Sequence, residues 1–124
     1  MTSVTKGRVP FFQEAIFARL FQENLLFACK LKAISLYGLG LVECHFHLLH
    51  GTNDKYNVSD ILHNIKRNFA HNINIVLGYH ALEGEDNYPH LHYERLPNLV
   101  RLTELRKEFL DKYGHKPFWP KFEW

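Results

Sequence analysis

Two histidines separated by a single residue are the part of the sequence best suited to chemistry. His45 and His47 flank Phe46 in the stretch LVECHFHLL, which is rich in branched and aromatic residues and therefore typical of a β-strand. Alternate side chains of a strand share a face, so both imidazoles are predicted on one face and Phe46 on the other, in the core. Two imidazoles on a stiff scaffold can bind one divalent cation, with a third ligand from elsewhere. The alternative is an exposed strand face that carries two histidines and no ligand.

The other histidines are weaker candidates. Among the nine histidines of the chain, His90 and His92 repeat the spacing, but beside Pro89 and without strand periodicity. A transition-metal site at this second pair is kept as a third hypothesis. Isolated histidines, predicted on the surface, are His63, His71, His80 and His115. The two cysteines are too few for a disulfide framework, and no Cys/His spacing indicates structural zinc.

Hydrophobic periodicity predicts the elements that position the first histidine pair. The predicted elements are helices over 12–32, 59–75 and 98–113 and strands over 35–42 and 44–50. A tight turn is expected around Glu43 and Cys44, and Gly114 is placed to end the last helix. Residues 78–97 mix glycine, proline, histidine and acidic residues and are predicted as an irregular excursion. The final stretch, FWPKFEW, needs a packing partner, and no later sequence supplies one.

Length and composition limit the classes of protein to consider. The 124 residues fit one domain spanning 1–124, and an aromatic content of 15% argues against intrinsic disorder. No apolar run approaches the ~20 residues of a membrane helix, so no membrane association is expected. Because the N-terminus lacks an apolar signal core, a cytoplasmic protein is predicted. The charge balance of 15 basic against 13 acidic residues, a net +2, does not by itself indicate a nucleic-acid partner.

Four basic residues are candidates for contacts to phosphate groups. Lys66 falls at the edge of the apolar stripe of the second helix, and Arg67 lies toward its solvent side. Lys6 and Arg8 lie near the start of the chain. Their ammonium and guanidinium groups are suited to phosphate oxygens. The alternative is a solvated helix face and a basic tail.

The order of these features carries a resemblance to a known family. TKGRVPFF precedes a long helix, and LVECHFHLLHG, NVSDILHNIKRNFAHNIN and FWPKF follow in turn. This order resembles the single-tyrosine HUH transposases, in particular the REP-associated and small insertion-sequence type. The match runs from Thr5 to about Asn74 and resumes at Phe118. It implies an α+β fold with a ferredoxin-like, RRM-like core, in which helices pack on one face of an antiparallel sheet.

The resemblance also implies a reaction and the residues that carry it. In that family the His-hydrophobic-His strand binds Mg²⁺ or Mn²⁺, which polarises a phosphate of single-stranded or hairpin DNA. A tyrosine hydroxyl then attacks phosphorus, giving a 5′-phosphotyrosine link and a free 3′-OH. Carried over to this chain, His45 and His47 become the metal ligands, and Lys66 and Arg67 become DNA contacts. A homodimer is compatible with the resemblance, because family dimers can place one protomer's tyrosine helix in the other's site.

The chain departs from the family pattern at several points. Glu43 and Cys44 stand where the family usually has a proline and then an aspartate or asparagine, so Glu43 is a candidate for the metal shell. The connection over 78–116, which leads to FWPKF, is longer than the corresponding connection in the family. In the family, the tyrosine lies on a helix that follows the phenylalanine-tryptophan element, which FWPKF matches here. This sequence stops at Trp124, and Tyr113 comes before FWPKF. The nucleophile is therefore left unassigned, and full catalysis by this chain alone is not expected. Three alternatives stay open: a truncated gene product, a domesticated DNA-binding relative, or a fragment whose missing helix is supplied by another protomer.

A second class of function follows from the same fold. A non-enzymatic, RRM-like module would use its sheet to bind nucleic acid or protein and would have no need of a metal. The two hypotheses differ in what His45 and His47 do, because only the first gives their imidazoles a role.

Overall fold

A computed structural model describes residues 2–32, 35–51, 58–80, 99–114 and 119–124. Its strands and helices are β1 (Thr2–Val4), α1 (Ala15–Lys32), β2 (Ser35–Val42), β3 (His45–Gly51), α2 (Val58–Leu77) and α3 (Leu99–Tyr113). Short 3₁₀ turns occupy Lys6–Arg8 and Phe11–Gln13. The fold is α+β, as expected. His90, His92 and His115 lie outside the described residues, as does the predicted excursion beyond His80.

The sheet is antiparallel and has the strand order β1-β3-β2. Both β1 and β2 run antiparallel to β3, so they are parallel to each other with β3 between them. The connection from β1 to β2 passes through α1, which makes a split βαβ unit. With α2 following β3, this order agrees with the first five elements of a ferredoxin-like fold. The prediction of an antiparallel sheet carrying helices is confirmed.

An aromatic cluster joins the sheet to its helices. Phe46 of β3 is fully buried, and its ring centroid lies 4.8 Å from that of Phe21 on α1. Phe21 in turn contacts Phe69 of α2 at 5.1 Å. Burial of large apolar side chains is the main favourable contribution to folding, so this cluster fixes which face of the sheet is covered.

The aromatic C-terminal stretch packs into the chain's own core. Phe122 is 1% exposed, and Trp119 stacks on Phe11 at 5.4 Å between ring centroids. The side-chain amide of Asn74 on α2 accepts a hydrogen bond from the Phe122 N–H (2.8 Å) and donates one to the Phe122 carbonyl (3.1 Å). The packing partner expected after this stretch is therefore supplied by elements before it.

Local chemistry explains where the elements begin and end. α1 starts at Ala15, later than predicted, because Phe11–Gln13 forms a 3₁₀ turn after Pro10. α3 ends where predicted, since Gly114 has φ 74° and its N–H bonds to the Leu110 carbonyl at 2.7 Å. β3 begins one residue later than predicted, and α2 continues two residues further. Within the described ranges, no helix combines the length and apolar content that crossing a bilayer requires.

Candidate functional site

The two faces of β3 carry different side chains. Phe46 and Leu48 are buried beneath the sheet, whereas His47 and Leu49 are exposed on the other side and His45 is half-buried there. The ring centroids of His45 and His47 are 4.8 Å apart, with ring planes at 85°. The predicted pairing of the imidazoles opposite Phe46 is confirmed. We call this side of the sheet, which carries His45, His47 and Leu49, the open face.

The neighbouring strands fix the orientation of the His47 ring. Thr2 of β1 is paired with His47, and its Oγ1 lies 2.8 Å from Nδ1. Gly40 of β2 is paired on the opposite side, where a Cβ would lie 3.9 Å from His47 Cδ2. Nδ1 therefore faces β1, and Nε2, bonded to Cδ2, lies on the β2 side at the outer end of the ring. When Nδ1 donates its proton to the Thr2 hydroxyl, Nε2 keeps a lone pair for a metal.

His45 has a similar but weaker neighbour. The Cys44 Sγ lies 3.8 Å from His45 Nδ1, a weak contact because thiols are poor hydrogen-bonding groups. In the part of the chain that the structure describes, no hydrogen bond is made to Nε2 of either ring. Rotation of a histidine ring about χ2 is soft, and the weakly held His45 ring can turn its Nε2 lone pair toward that of His47.

The described residues supply two metal ligands and no third. Glu43 instead accepts a hydrogen bond from the Gln13 side chain at 3.2 Å, and Glu123 pairs with Lys6 at 3.2 Å. Across the described ranges, no group of three His, Cys, Asp or Glu side chains is placed to hold a metal. Imidazole nitrogens suit transition-metal ions, whereas Mg²⁺ prefers oxygen ligands. Of the two predicted cations, Mn²⁺ therefore fits this pair better.

Two of the predicted DNA contacts lie next to the open face. Lys6 and Arg8 belong to the 3₁₀ turn that follows β1, and the Thr5 N–H bonds to the Cys44 carbonyl at 2.8 Å. This bond holds the turn at the His45 end of β3. Arg8 has φ 55°, a left-handed conformation uncommon for a residue other than glycine. Both side chains are exposed, and the Lys6 ammonium pairs with the Glu123 carboxylate, so the turn carries two cations at the His45 end of β3, one of them paired with an acidic group.

The other two predicted contacts lie in the helical layer. The Lys66 ammonium lies 5.4 Å from the centroid of the Trp124 ring, and the Lys66 carbonyl accepts the indole N–H at 2.8 Å. Arg67 is exposed and donates to the Asn64 side chain at 3.2 Å. Lys66 is half-buried, which confirms its predicted place at the edge of the helix stripe. The structure therefore does not bring Lys66 and Arg67 onto the open face.

None of the described tyrosines places its hydroxyl at the histidine pair. The Tyr79 hydroxyl donates to the Trp119 carbonyl at 2.8 Å, and the Tyr113 hydroxyl donates to the Glu14 carboxylate. Tyr37 is 70% exposed, but its ring lies beside Gly51. Gly51 is four residues beyond His47, roughly 13 Å along an extended strand. The nucleophile therefore remains unassigned among the described residues.

Sequence reasoning missed several residues that shape the open face. Gly38 and Gly40 face Leu49 and His47 across the β2–β3 ladder and add no side chain of their own. An open cavity of about 280 Å³ results, with Thr2 on its far wall. The signal was present in the sequence as two glycines at strand spacing. Their pairing with His47 could not be read from the sequence, because it depends on strand register.

The histidines outside the pair whose side chains the structure describes divide into two cases. His63 is exposed on α2, as predicted. His71 and His80, predicted to be isolated, stack on each other with ring centroids 4.9 Å apart and planes at 21°. Nearly parallel rings direct their lone pairs alongside each other, an unsuitable arrangement for sharing one ion.

Comparisons with known proteins add no further constraint. No family model matches the chain, and neither a curated protein nor a solved structure matches it. The case for a function therefore depends on the geometry of the open face.

Proposed function

We propose that the chain is a DNA-binding protein of the HUH transposase type that acts on single-stranded or hairpin DNA. The observation that supports this most directly is the pair of imidazoles on the open face, with centroids 4.8 Å apart and Nε2 atoms unengaged by any described residue. In this proposal the pair holds a divalent cation, with Mn²⁺ as the better fit. The basic turn at the His45 end supplies the positive charge that a DNA backbone requires.

Each residue of the open face has a distinct role in this proposal. His45 and His47 donate Nε2 lone pairs to the cation, and Thr2 fixes the His47 ring from its Nδ1 side. The cation, when bound, stabilises negative charge on the phosphoryl oxygens. Lys6 and Arg8, both in the turn at the His45 end of β3, contact phosphates at that end of the open face and position the strand.

Strand cleavage and transfer complete the proposal. A tyrosine hydroxyl attacks phosphorus and forms a phosphotyrosine bond, while the bond to the 3′ oxygen breaks and releases a 3′-OH. The covalent link conserves the phosphodiester energy for rejoining. The tyrosine comes from outside the described residues of this protomer or from another protomer.

The first experiment measures metal binding. Isothermal titration with Mn²⁺ should give one site in the wild type, no detectable site in His47→Ala, and about 10- to 100-fold weaker binding in Thr2→Val. Thr2→Val keeps the side-chain shape and removes only the hydroxyl, so it isolates the contact to Nδ1. His63→Ala, an exposed histidine on α2, is the matched control and should bind Mn²⁺ normally. Equal binding by wild type and His47→Ala would refute the assigned site.

The second experiment measures DNA binding and cleavage. Labelled single-stranded and hairpin oligonucleotides are incubated with the protein in the presence and absence of Mn²⁺. Binding is measured by fluorescence anisotropy and covalent attachment by denaturing gel electrophoresis. We expect tighter binding with Mn²⁺ and an adduct that is lost in His47→Ala. Tight binding without any adduct, with or without Mn²⁺, would assign binding but not cleavage to this chain.

A second candidate function has its own supporting observation. Tyr37 and Leu49 are 70% and 65% exposed on the sheet, as in a surface that binds by apolar contact. A non-enzymatic, RRM-like module would use these side chains to bind nucleic acid or protein. It predicts that His45→Ala and His47→Ala leave binding unchanged and that calorimetry detects no Mn²⁺ or Mg²⁺ site.

A further inference from the structure

The open face contains a shallow cavity beside His47, which we call the glycine trough. Its floor is formed by Gly38, Gly40 and the backbone of Leu48, and its sides by Thr2, His47 and Leu49. We propose that the glycine trough is a subsite for one unpaired base of single-stranded DNA. This inference rests on the proposed function and names the part of the substrate that the trough accommodates.

The floor of the trough is backbone rather than side chain. Gly38 and Gly40 occupy successive open-face positions of β2, about 6.6 Å apart along the strand. Any other residue at these positions would project a side chain into the space that the trough occupies. β2 is also the outer strand of the described sheet, so the trough is open along one side. A flat ring can therefore lie on this floor without displacing a side chain.

The walls match the two kinds of surface that a base presents. Leu49, 65% exposed, offers an apolar contact for the ring face. The Thr2 hydroxyl, which accepts the proton of His47 Nδ1, keeps its own O–H to donate to the polar edge of the base. Tyr37 lies beside Gly51, the next open-face position of β3 after Leu49, and provides an aromatic platform for an adjacent base.

The charge distribution favours a nucleic-acid strand over an apolar peptide. Lys6 follows Thr2 by four residues, so the basic turn begins roughly 13 Å from the wall of the trough. A strand with one base in the trough can therefore carry its backbone toward Lys6 and Arg8. Bases within a duplex have both faces occupied by stacking, and only an unpaired or looped-out base can enter a shallow floor of this kind.

The proposal is tested by filling the trough. Neither Gly38 nor Gly40 has a positive φ, and a Cβ at Gly40 would lie 3.8 Å from the nearest His47 atom, an ordinary contact. Gly40→Ala and Gly40→Val should therefore fold, with a thermal midpoint equal to or above that of the wild type. Val42→Ile is the matched control, because it enlarges an exposed side chain on the same strand outside the trough.

The substrate is varied in parallel with the protein. Single-stranded oligonucleotides with one base removed at successive positions keep every phosphate and lose one ring. In the wild type, base removal at one position should weaken binding about 5- to 150-fold, the range expected for one stacked base. Gly40→Val should weaken binding to the intact oligonucleotide by a similar factor and should abolish the effect of base removal there. Val42→Ile should behave as the wild type.

Two results would separate this inference from the proposed function. If the wild type binds Mn²⁺ and single-stranded DNA but Gly40→Val binds as tightly, the trough is not a base subsite, whereas the proposed function stands. The same conclusion follows if base removal costs Gly40→Val as much as it costs the wild type. If the wild type binds no DNA at all, both the proposed function and the base subsite are wrong.

Discussion

The two faces of β3 differ in exposure and in the kinds of side chain they carry. Phe46 and Leu48 face a layer of helices and are 0% and 7% exposed, whereas His47 and Leu49 face outward on the same backbone. On the covered face each ring touches several others, so shape is constrained by packing. On the open face the side chains touch few neighbours, so their types can be set by what they bind. The residues suited to chemistry therefore lie where the fold depends on them least.

The largest expected effect tests this contrast within one strand. Phe46→Ala removes a fully buried ring that contacts Phe21 at 4.8 Å and Trp124 at 5.5 Å. We expect a loss of about 3–5 kcal/mol in the free energy of unfolding, measured by urea denaturation. His47→Ala, one residue away on the open face, should cost less than about 1 kcal/mol. Similar losses for the two variants would contradict the contrast.

The second-largest expected effect concerns the hydrogen bonds between α2 and the C-terminal stretch on the covered side of the sheet. Asn74 is 3% exposed, and its amide satisfies both backbone groups of Phe122. Asn74→Ala would leave a buried N–H and a buried carbonyl without partners, at a cost of about 2–4 kcal/mol. Tryptophan emission should shift to longer wavelength, because Trp124 loosens with its neighbour. Asn64→Ala, at a half-exposed site on the same helix, serves as the control and should cost under about 0.5 kcal/mol.

A smaller effect depends on pH and concerns the attachment of α3 to α1. Burial raises the pKa of the Glu14 carboxyl, but hydrogen bonds from Tyr113, Lys112 and the Ile16 N–H outweigh burial and leave the pKa below its ordinary value of 4.5. The folded state therefore stabilises the charged form of the Glu14 carboxyl, relative to its protonated form, more than the unfolded chain does. Its contribution is complete above about pH 4.5 and is lost as pH falls through the lower, folded-state pKa.

Glu14→Gln isolates this contribution. At pH 7 the variant should be less stable than the wild type by about 1–2 kcal/mol, because hydrogen bonds to a charged group are lost. The difference should shrink as the pH is lowered below about 4.5, as measured by denaturation at a series of pH values. A difference that is constant with pH would show that the Glu14 charge contributes nothing. Glu108→Gln, at an exposed site on α3, should show a much smaller difference at pH 7.

Local patterns in the sequence were sufficient to predict most of the helices and strands. The helices follow from apolar residues at 3.6-residue spacing, and the division of β3 into two faces follows from alternation around Phe46. β1 is different, because Thr2–Val4 is too short for a periodic pattern and is held by pairing with β3. It is therefore absent from the elements predicted by periodicity.

The candidate site was less accessible to sequence reasoning, because its contacts join distant residues. Thr2 lies 45 residues from His47, and the two meet only because β1 and β3 pair in one register. The glycine trough depends on the same kind of register between Gly40 and His47. Asn74 reaches Phe122 across 48 residues, so the packing partner of the aromatic C-terminal stretch cannot be read from neighbouring sequence. Lys66 and Arg67 were predicted on the second helix, but only the fold shows that this helix packs on the side of the sheet opposite the histidine pair.

The smallest expected effect on stability tests the boundary of the open face. Lys6 and Glu123 form an exposed ion pair at 3.2 Å, which solvent screens, so Lys6→Ala should change the free energy of unfolding by less than about 0.5 kcal/mol. If Lys6 contacts a phosphate, the same variant should reduce the slope of log affinity against log salt by about 0.7 for single-stranded DNA. Lys107→Ala removes an equal charge from an exposed site on α3 and should leave that slope unchanged. Glu123→Gln removes the carboxylate that pairs with Lys6 and should tighten DNA binding. The Lys6 ammonium then no longer has to break an ion pair before it contacts a phosphate. An unchanged slope in Lys6→Ala would show that DNA does not contact Lys6. The proposed DNA-binding surface would then consist of the imidazoles and the glycine trough without Lys6.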